Sequence, residues 1–145
     1  MDSLERILTN AASGMSAQSI RLNTIASNLA NADSVGSSEA GTYHSKYPIF
    51  SEVTQPISGM SSEDQPIGGV RVTEVSKSTK PLQRHHDPDN PQADGDGNVY
   101  MTDVNPIEEM TNMIAASKEY QANVEVMNTT KSLIQQTLNT LATKE

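Results

Sequence analysis

Two stretches at opposite ends of the chain place apolar residues at alternating steps of three and four, the spacing that gathers side chains on one face of a helix. Near the start these are Leu4, Leu8, Ala11, Met15, Leu22, Ile25, Leu29 and Ala32, with Gln18 the single polar member of the row. Near the end they are Met110, Met113, Tyr120, Val124, Met127, Ile134, Leu138 and Leu141, with Ser117 and Lys131 as polar members. Both rows follow a heptad, so each predicts a long helix with a seam that needs a partner along its length. Asn105-Pro106-Ile107-Glu108 marks the start of the second helix, because Asn accepts from first-turn N–H groups and Pro is preset for the first helical position. Asp2 followed by Glu5 is a similar start for the first helix. Asp33-Ser34-Val35-Gly36-Ser37-Ser38 is turn chemistry and places the first helix end near Asn31. Gly14 costs that helix about 1 kcal/mol relative to Ala and marks a place where it could bend.

Between the helices, Gly, Pro, Ser and Asp punctuate short extended runs. Tyr43 to Phe50 alternates like a strand, which Pro48 restricts to a sheet edge. Gly69 to Val75 is the clearest strand, Pro81 to Arg84 a weaker one and Asn98 to Met101 a short one, while Pro56 to Gly69 has the composition of a loop. The expected fold is therefore mainly α with a small β-rich insert, the long terminal helices pairing as a coiled coil. Its parts are a helix over 1–32, a β-rich and loop middle over 33–104 and a helix over 105–145.

Composition narrows the function classes. Apolar residues make up 34% of the 145, with one Phe, no Trp and no Cys. The core is thus poor, and disulfides, zinc–thiolate sites and thiol catalysis are excluded. No apolar run is long enough for a transmembrane helix, and the acidic start lacks the apolar region of a cleavable signal peptide. The net charge of −8 is concentrated in the middle, where Asp33, Glu39, Glu52, Glu63, Asp64, Glu74, Asp87, Asp89, Asp94, Asp96 and Asp103 face only five bases. Without a basic stripe, neither nucleic acid nor direct membrane insertion is expected.

The faces opposite the apolar rows are unusual in lacking charge. Between Arg6 and Asp33 the first helix carries only Arg21, and from Ser132 to Thr143 the last helix carries none. Small uncharged polar residues suit close packing against other protein, since they fill little volume and hydrogen-bond in any direction. A polar, frayed terminus of a two-helix coil would look similar.

Residues 85–98 are the stretch most suggestive of chemistry. Asp94, Asp96 and Asn98 have the one-three-five spacing of a calcium loop, but Val99 stands where that loop needs Gly and Asn105 where it needs Glu. His85 and His86 are adjacent and point to opposite faces of a strand, so they cannot chelate one metal together. Turn-forming Asp-Gly sequence accounts for the segment, and no catalytic set, metal site or cofactor loop is expected.

The run from Ser16 to Val35, with Asn28-Leu29-Ala30-Asn31 at its centre, resembles the amino-terminal signature of bacterial flagellar axial proteins, the rod and hook family. Glu109-Met110 through Tyr120-Gln121-Ala122-Asn123 to Thr129 is similar to that family's carboxy-terminal helix. The resemblance spans essentially the whole chain, although the aromatic that follows the family's Thr-x-Gly segment is delayed here to Tyr43. It implies a helical tubular assembly in which the terminal helices pair and line up against neighbouring subunits, with the middle outside. It further implies a torque-transmitting structural subunit of the proximal rod, within the periplasm. The partners so implied are other copies of the chain, the rod proteins FlgB, FlgF, FlgG and FliE, and the flagellar type III apparatus, which exports without a cleavable signal. A free coiled-coil adaptor or secretion chaperone would use the same seams with charged outer faces. A metal-dependent wall hydrolase would need ligands that the middle lacks.

Overall fold

A computed structural model describes residues 2–53 and 68–142, excepting the side chains of Asp2 and Leu141. Helix α1 spans Asp2–Ala30 and helix α2 spans Pro106–Ala142, the latter about 55 Å long at 1.5 Å per residue. Both agree with the terminal elements expected from the apolar rows. The start of α2 is capped as its sequence requires: Asn105 Oδ1 accepts from the N–H groups of Ile107 (3.1 Å) and Glu108 (3.4 Å). Asp2 already lies within α1. Most of the loop expected over Pro56 to Gly69 lies outside the described residues.

Five strands lie between the helices: β1 (Val35–Gly36), β2 (Lys46–Glu52), β3 (Val70–Lys77), β4 (Gln83–His86) and β5 (Asn98–Met101). They form two sheets, β1-β5-β4 and β2-β3. In the first, β5 is central and antiparallel to both neighbours, with Gly36 opposite Tyr100 and His85 opposite Val99. In the ribbon β2-β3, the Val53 N–H donates to Gly69 O (2.9 Å) and the Ser78 N–H to Ser45 O (2.7 Å), an antiparallel register. Pro48 is tolerated because a two-stranded ribbon consists of edges.

These strands correct the expected fold class. The described chain is about 54% helix and 20% strand, with two antiparallel sheets. It is not a mainly helical coiled coil carrying a small insert. Two physical reasons account for the difference. Backbone ladders need little apolar surface, and every residue of β4 is exposed although all four pair with β5, so this strand leaves hardly any hydrophobic pattern. Strand β1 is two residues long within turn-forming sequence and has no alternation to detect.

The chain divides into two compact units, each of which takes part of both helices. One comprises the described residues of Met1–Ile20, Phe50–Thr73 and Ala116–Glu145. The other comprises Arg21–Ile49 and Glu74–Ala115 and contains the three-stranded sheet. Its buried apolar residues are few and include Ile25, Leu82, Val99 and Val104. Polar clasps supplement them. Asp103 accepts from the Ser45 N–H (2.6 Å) through one carboxylate oxygen and from the Ser45 hydroxyl (3.1 Å) through the other. It thereby fixes the entry to β2 where Ser78, at the exit of β3, returns to the Ser45 carbonyl.

Partial burial opposes ionisation of Asp103, but bonds from the Ser78 hydroxyl and from the Ser45 N–H and hydroxyl outweigh it and hold the carboxyl below its ordinary value. A depressed folded-state pKa means that the unfolded chain takes up the proton first. The contribution of this clasp is complete above the ordinary aspartate value of 3.8 and is lost as the pH falls below it. Asp103→Asn is expected to lower stability at neutral pH by about 1 kcal/mol, with the gap to the parent narrowing below about pH 4. Denaturant midpoints of both proteins across pH 3 to 7 check this, and a gap that does not vary with pH would exclude an ionised clasp.

Candidate assembly site

The most completely buried large side chain among the described residues is an amide. Asn28, in the last turn of α1, is 1% exposed. Its Nδ2 donates to Lys46 O (2.8 Å) and to Glu109 Oε2 (3.1 Å). Its Oδ1 accepts from the Lys46 N–H (2.9 Å) and from the Tyr43 hydroxyl (2.9 Å). All four hydrogen-bonding positions of the amide are therefore filled. Lys46 opens β2 and Glu109 lies in the first turn of α2, so one side chain ties the helix end to both. Ser27 Oγ adds a contact to the Tyr43 hydroxyl (3.2 Å).

Asn31 has a different, local role. Its amide donates to Ser27 O (2.7 Å) and its own carbonyl accepts from Ser34, satisfying groups that the end of α1 leaves without intrahelical partners. The left-handed conformation available to a capping Asn is not used, since no described non-glycine residue has positive φ. Leu29 is half-buried and Ala30 exposed.

In the other unit, α1 and α2 approach each other closely. A Cβ placed on Gly14 would lie 2.9 Å from Asn123 Nδ2 and 3.1 Å from Asn123 Cγ, so the glycine makes room for the Asn123 side chain. Helix α1 runs through Gly14 unbroken; the residue serves close approach rather than a bend. Asn123 Nδ2 is held by Glu119 O (3.0 Å), and Gln18 Nε2 donates to the Glu119 carboxylate. Ser13 Oγ accepts from the Val70 N–H (3.1 Å) at the start of β3.

Along α1 the expected seam residues Leu4, Leu8, Met15, Leu22 and Leu29 are half-buried and Ile25 is buried. Along α2, Met113, Tyr120, Val124, Met127 and Ile134 are half-buried, whereas Met110 and Leu138 are exposed. The side chain of Leu141 lies outside the described residues. Among the described side chains of α2 the buried ones are Ala116 (0% exposed) and Thr130 (4%), each one position before a polar member of the seam, Ser117 and Lys131. With Met113, Tyr120, Asn123, Met127 and Ile134 they make a second three-four row, which a hydrophobic pattern misses because Ala, Asn and Thr carry little weight in it. Gln121 and Ala122 are exposed.

The 85–98 segment comprises the last two residues of β4, the connection over 87–97 and the first residue of β5. Asp94 Oδ1 accepts from the N–H groups of Asp96 (2.9 Å) and Asn98 (2.8 Å), and Gly97 supplies a positive φ of 76°. His86 Nδ1 lies 3.2 Å from Asn98 Oδ1. Among the described residues no three His, Cys, Asp or Glu side chains cluster in a way that could hold a metal ion.

Comparison with known proteins agrees with the two helix ends. Residues 8–36 match the family described as flagella basal body rod protein, and residues 96–141 match the carboxy-terminal region of the flagellar basal body rod FlgEFG proteins. The flagellar basal-body rod protein FlgC of Yersinia enterocolitica is 46% identical over 136 residues, covering 94% of this chain and 96% of the relative. This chain belongs to the flagellar basal-body rod protein FlgC family. The FlgC of Salmonella typhimurium is 43% identical, covering 93% of this chain and 96% of its own. That of Aquifex aeolicus is 36% identical over 88% of this chain and 89% of its own. Asn28, Asn31 and Gly14 lie inside the amino-terminal match, and Glu109 and Asn123 inside the carboxy-terminal one.

The geometry separates the two asparagines experimentally. Asn28→Ala leaves the Lys46 N–H and carbonyl and the Tyr43 hydroxyl without their buried partner and is expected to cost about 3 kcal/mol. Asn31→Gly removes one capping bond and is expected to cost about 1 kcal/mol or less. Urea midpoints of the two variants check the order, and equal losses would contradict the four-bond assignment to Asn28.

Proposed function

We propose that this rod subunit acts by assembly alone, in the proximal rod. Its terminal helices, over 1–32 and 105–145, would make the contacts with neighbouring copies and with FlgB, FlgF, FlgG and FliE, with residues 33–104 forming the outer part. The observation that carries this reading is the set of large apolar side chains exposed on α2 of the single chain. Ile107 (77% exposed), Met110 and Ile114 (59%) recur at steps of three and four, and Val126 and Leu133 are also exposed and seven apart. Such a row is costly in water and gains when another protein surface covers it. A polymer repeats that gain in every subunit, so stiffness under torque arises from many small contacts rather than one strong bond.

The chemistry of the site supports a non-enzymatic role. The buried amide of Asn28 and the part-buried carboxylate of Asp103 have hydrogen-bonding partners inside the chain, as structural groups do. Residence in the basal body within the periplasm and delivery by the flagellar type III apparatus complete the proposal. No helix among the described residues is long and apolar enough to cross a membrane.

Ile114→Asp and Leu133→Asp test the assembly role. Both positions are exposed, so the stability of the isolated chain should change by no more than about 0.5 kcal/mol. Swimming should nevertheless be lost, because a carboxylate in a packed intersubunit contact costs several kcal/mol in every subunit. His85→Ala combined with His86→Ala, on the exposed end of β4, should swim normally. Normal motility of both Asp variants would contradict the use of this face.

A further inference from the structure

The chain has no Cys and no Trp but seven Met, so thioethers are its softest targets for a two-electron oxidant. Exposure sorts them. Among the described side chains Met110 is 51% exposed and Met101 43%, whereas Met15, Met113 and Met127 are half-buried. Oxidation of a thioether follows access to the sulfur, so Met110 and Met101 react first. The two differ in where they sit. Met101 ends β5, paired with Val35 and Gln83. Met110 lies near the start of α2, three residues after Ile107 and four before Ile114, within the exposed apolar row. Its neighbour Glu109 accepts from Asn28 (3.1 Å), so the turn that carries Met110 is tied to the last turn of α1.

Hydrogen peroxide transfers one oxygen atom to such a sulfur. The O–O bond breaks and an S–O bond forms; the sulfur gives up two electrons, and the second peroxide oxygen leaves as water. The product is a polar, hydrogen-bond-accepting sulfoxide in place of an apolar thioether. On an exposed helix face water solvates it, and the folded single chain loses little. Beneath an apolar surface the same group loses its water without gaining a donor, which opposes burial.

We infer that Met110 is an oxidative modification site on the assembly face: its sulfoxide keeps a free subunit out of the rod, and burial in the rod protects the subunits already incorporated. The block is reversible, because a thiol-dependent sulfoxide reductase removes the oxygen as water while two thiols become a disulfide. Met101, on the sheet of the middle segment, reacts as readily but leaves the helix row unchanged. The inference rests on the reading of the exposed α2 row as a docking face, and the experiment distinguishes the two.

The full chain and isolated basal bodies are exposed to hydrogen peroxide, and sulfoxide at each Met is measured by peptide mass spectrometry. In the free chain Met110 and Met101 should oxidise about threefold faster than Met113, and in basal bodies the rate at Met110 should fall about tenfold. Met110→Gln places a polar acceptor of similar helix propensity at the site and should reduce the number of rods per cell about tenfold, with the helicity of the isolated chain unchanged. Met110→Leu should swim normally and keep assembling new rods at a peroxide dose that stops the parent. Equal rates at Met110 in the free chain and in basal bodies would overturn the docking reading and the inference with it. Protection of Met110 in basal bodies together with normal rods in Met110→Gln, or with a Met110→Leu chain as peroxide-sensitive as the parent, leaves docking intact and overturns the oxidation site. Loss of helix in isolated Met110→Gln assigns the effect to folding and also overturns it.

Discussion

Burying an amide is favourable only when its donors and acceptors are all matched, and that condition governs how the first helix ends. Asn28 meets it with two backbone groups of Lys46, the Tyr43 hydroxyl and the Glu109 carboxylate. An apolar residue at this position would pack in several orientations. A fully matched amide tolerates one, because displacement by about 1 Å would break bonds whose partners stay desolvated. Directional bonding here substitutes for the large core that a chain with 34% apolar residues cannot build. Asp103 applies the same logic where β2 begins, and together the two residues determine how the chain leaves the helix and returns to it.

Local chemistry was the part of this architecture that could be read in advance. The start of α2 follows from Asn105-Pro106, since a cap needs only neighbouring residues, and the strand Val70–Lys77 follows from its β-branched alternation. The expectation of a mainly helical coiled coil failed where structure depends on partners distant in sequence. Strand β1 exists because Val35 and Gly36 meet Met101 and Tyr100, and β4 because it lies against β5; β1 has no pattern to reveal it, and the weaker strand expected over Pro81 to Arg84 overlaps only the first half of β4. The importance of Asn28 was visible in a motif, yet its bonds reach up to 81 residues along the chain. Nothing in the motif itself names Tyr43, Lys46 or Glu109 as its partners.

The row of exposed apolar residues on α2 and the buried row containing Ala116 and Thr130 illustrate a related point. Hydrophobic periodicity finds large side chains, and in this helix several large side chains remain uncovered while small ones are enclosed. A helix with this distribution is suited to further neighbours on its outer faces. The acidity of the middle segment acts differently: repulsion among like charges disfavours indiscriminate association.

Gly14 and Asn123 have a mechanical consequence. The missing side chain on one helix forms a notch and the amide on the other a tooth, and the tooth is held in place by its own backbone through Glu119. Smooth apolar surfaces can slide past each other by a fraction of a turn with little change in contact area. A tooth in a notch cannot, because axial slip drives the Asn123 side chain into the Cβ atoms that neighbour Gly14 along α1. The pair therefore acts as a detent that sets the axial phase of two helix segments and returns them to it after a load is removed.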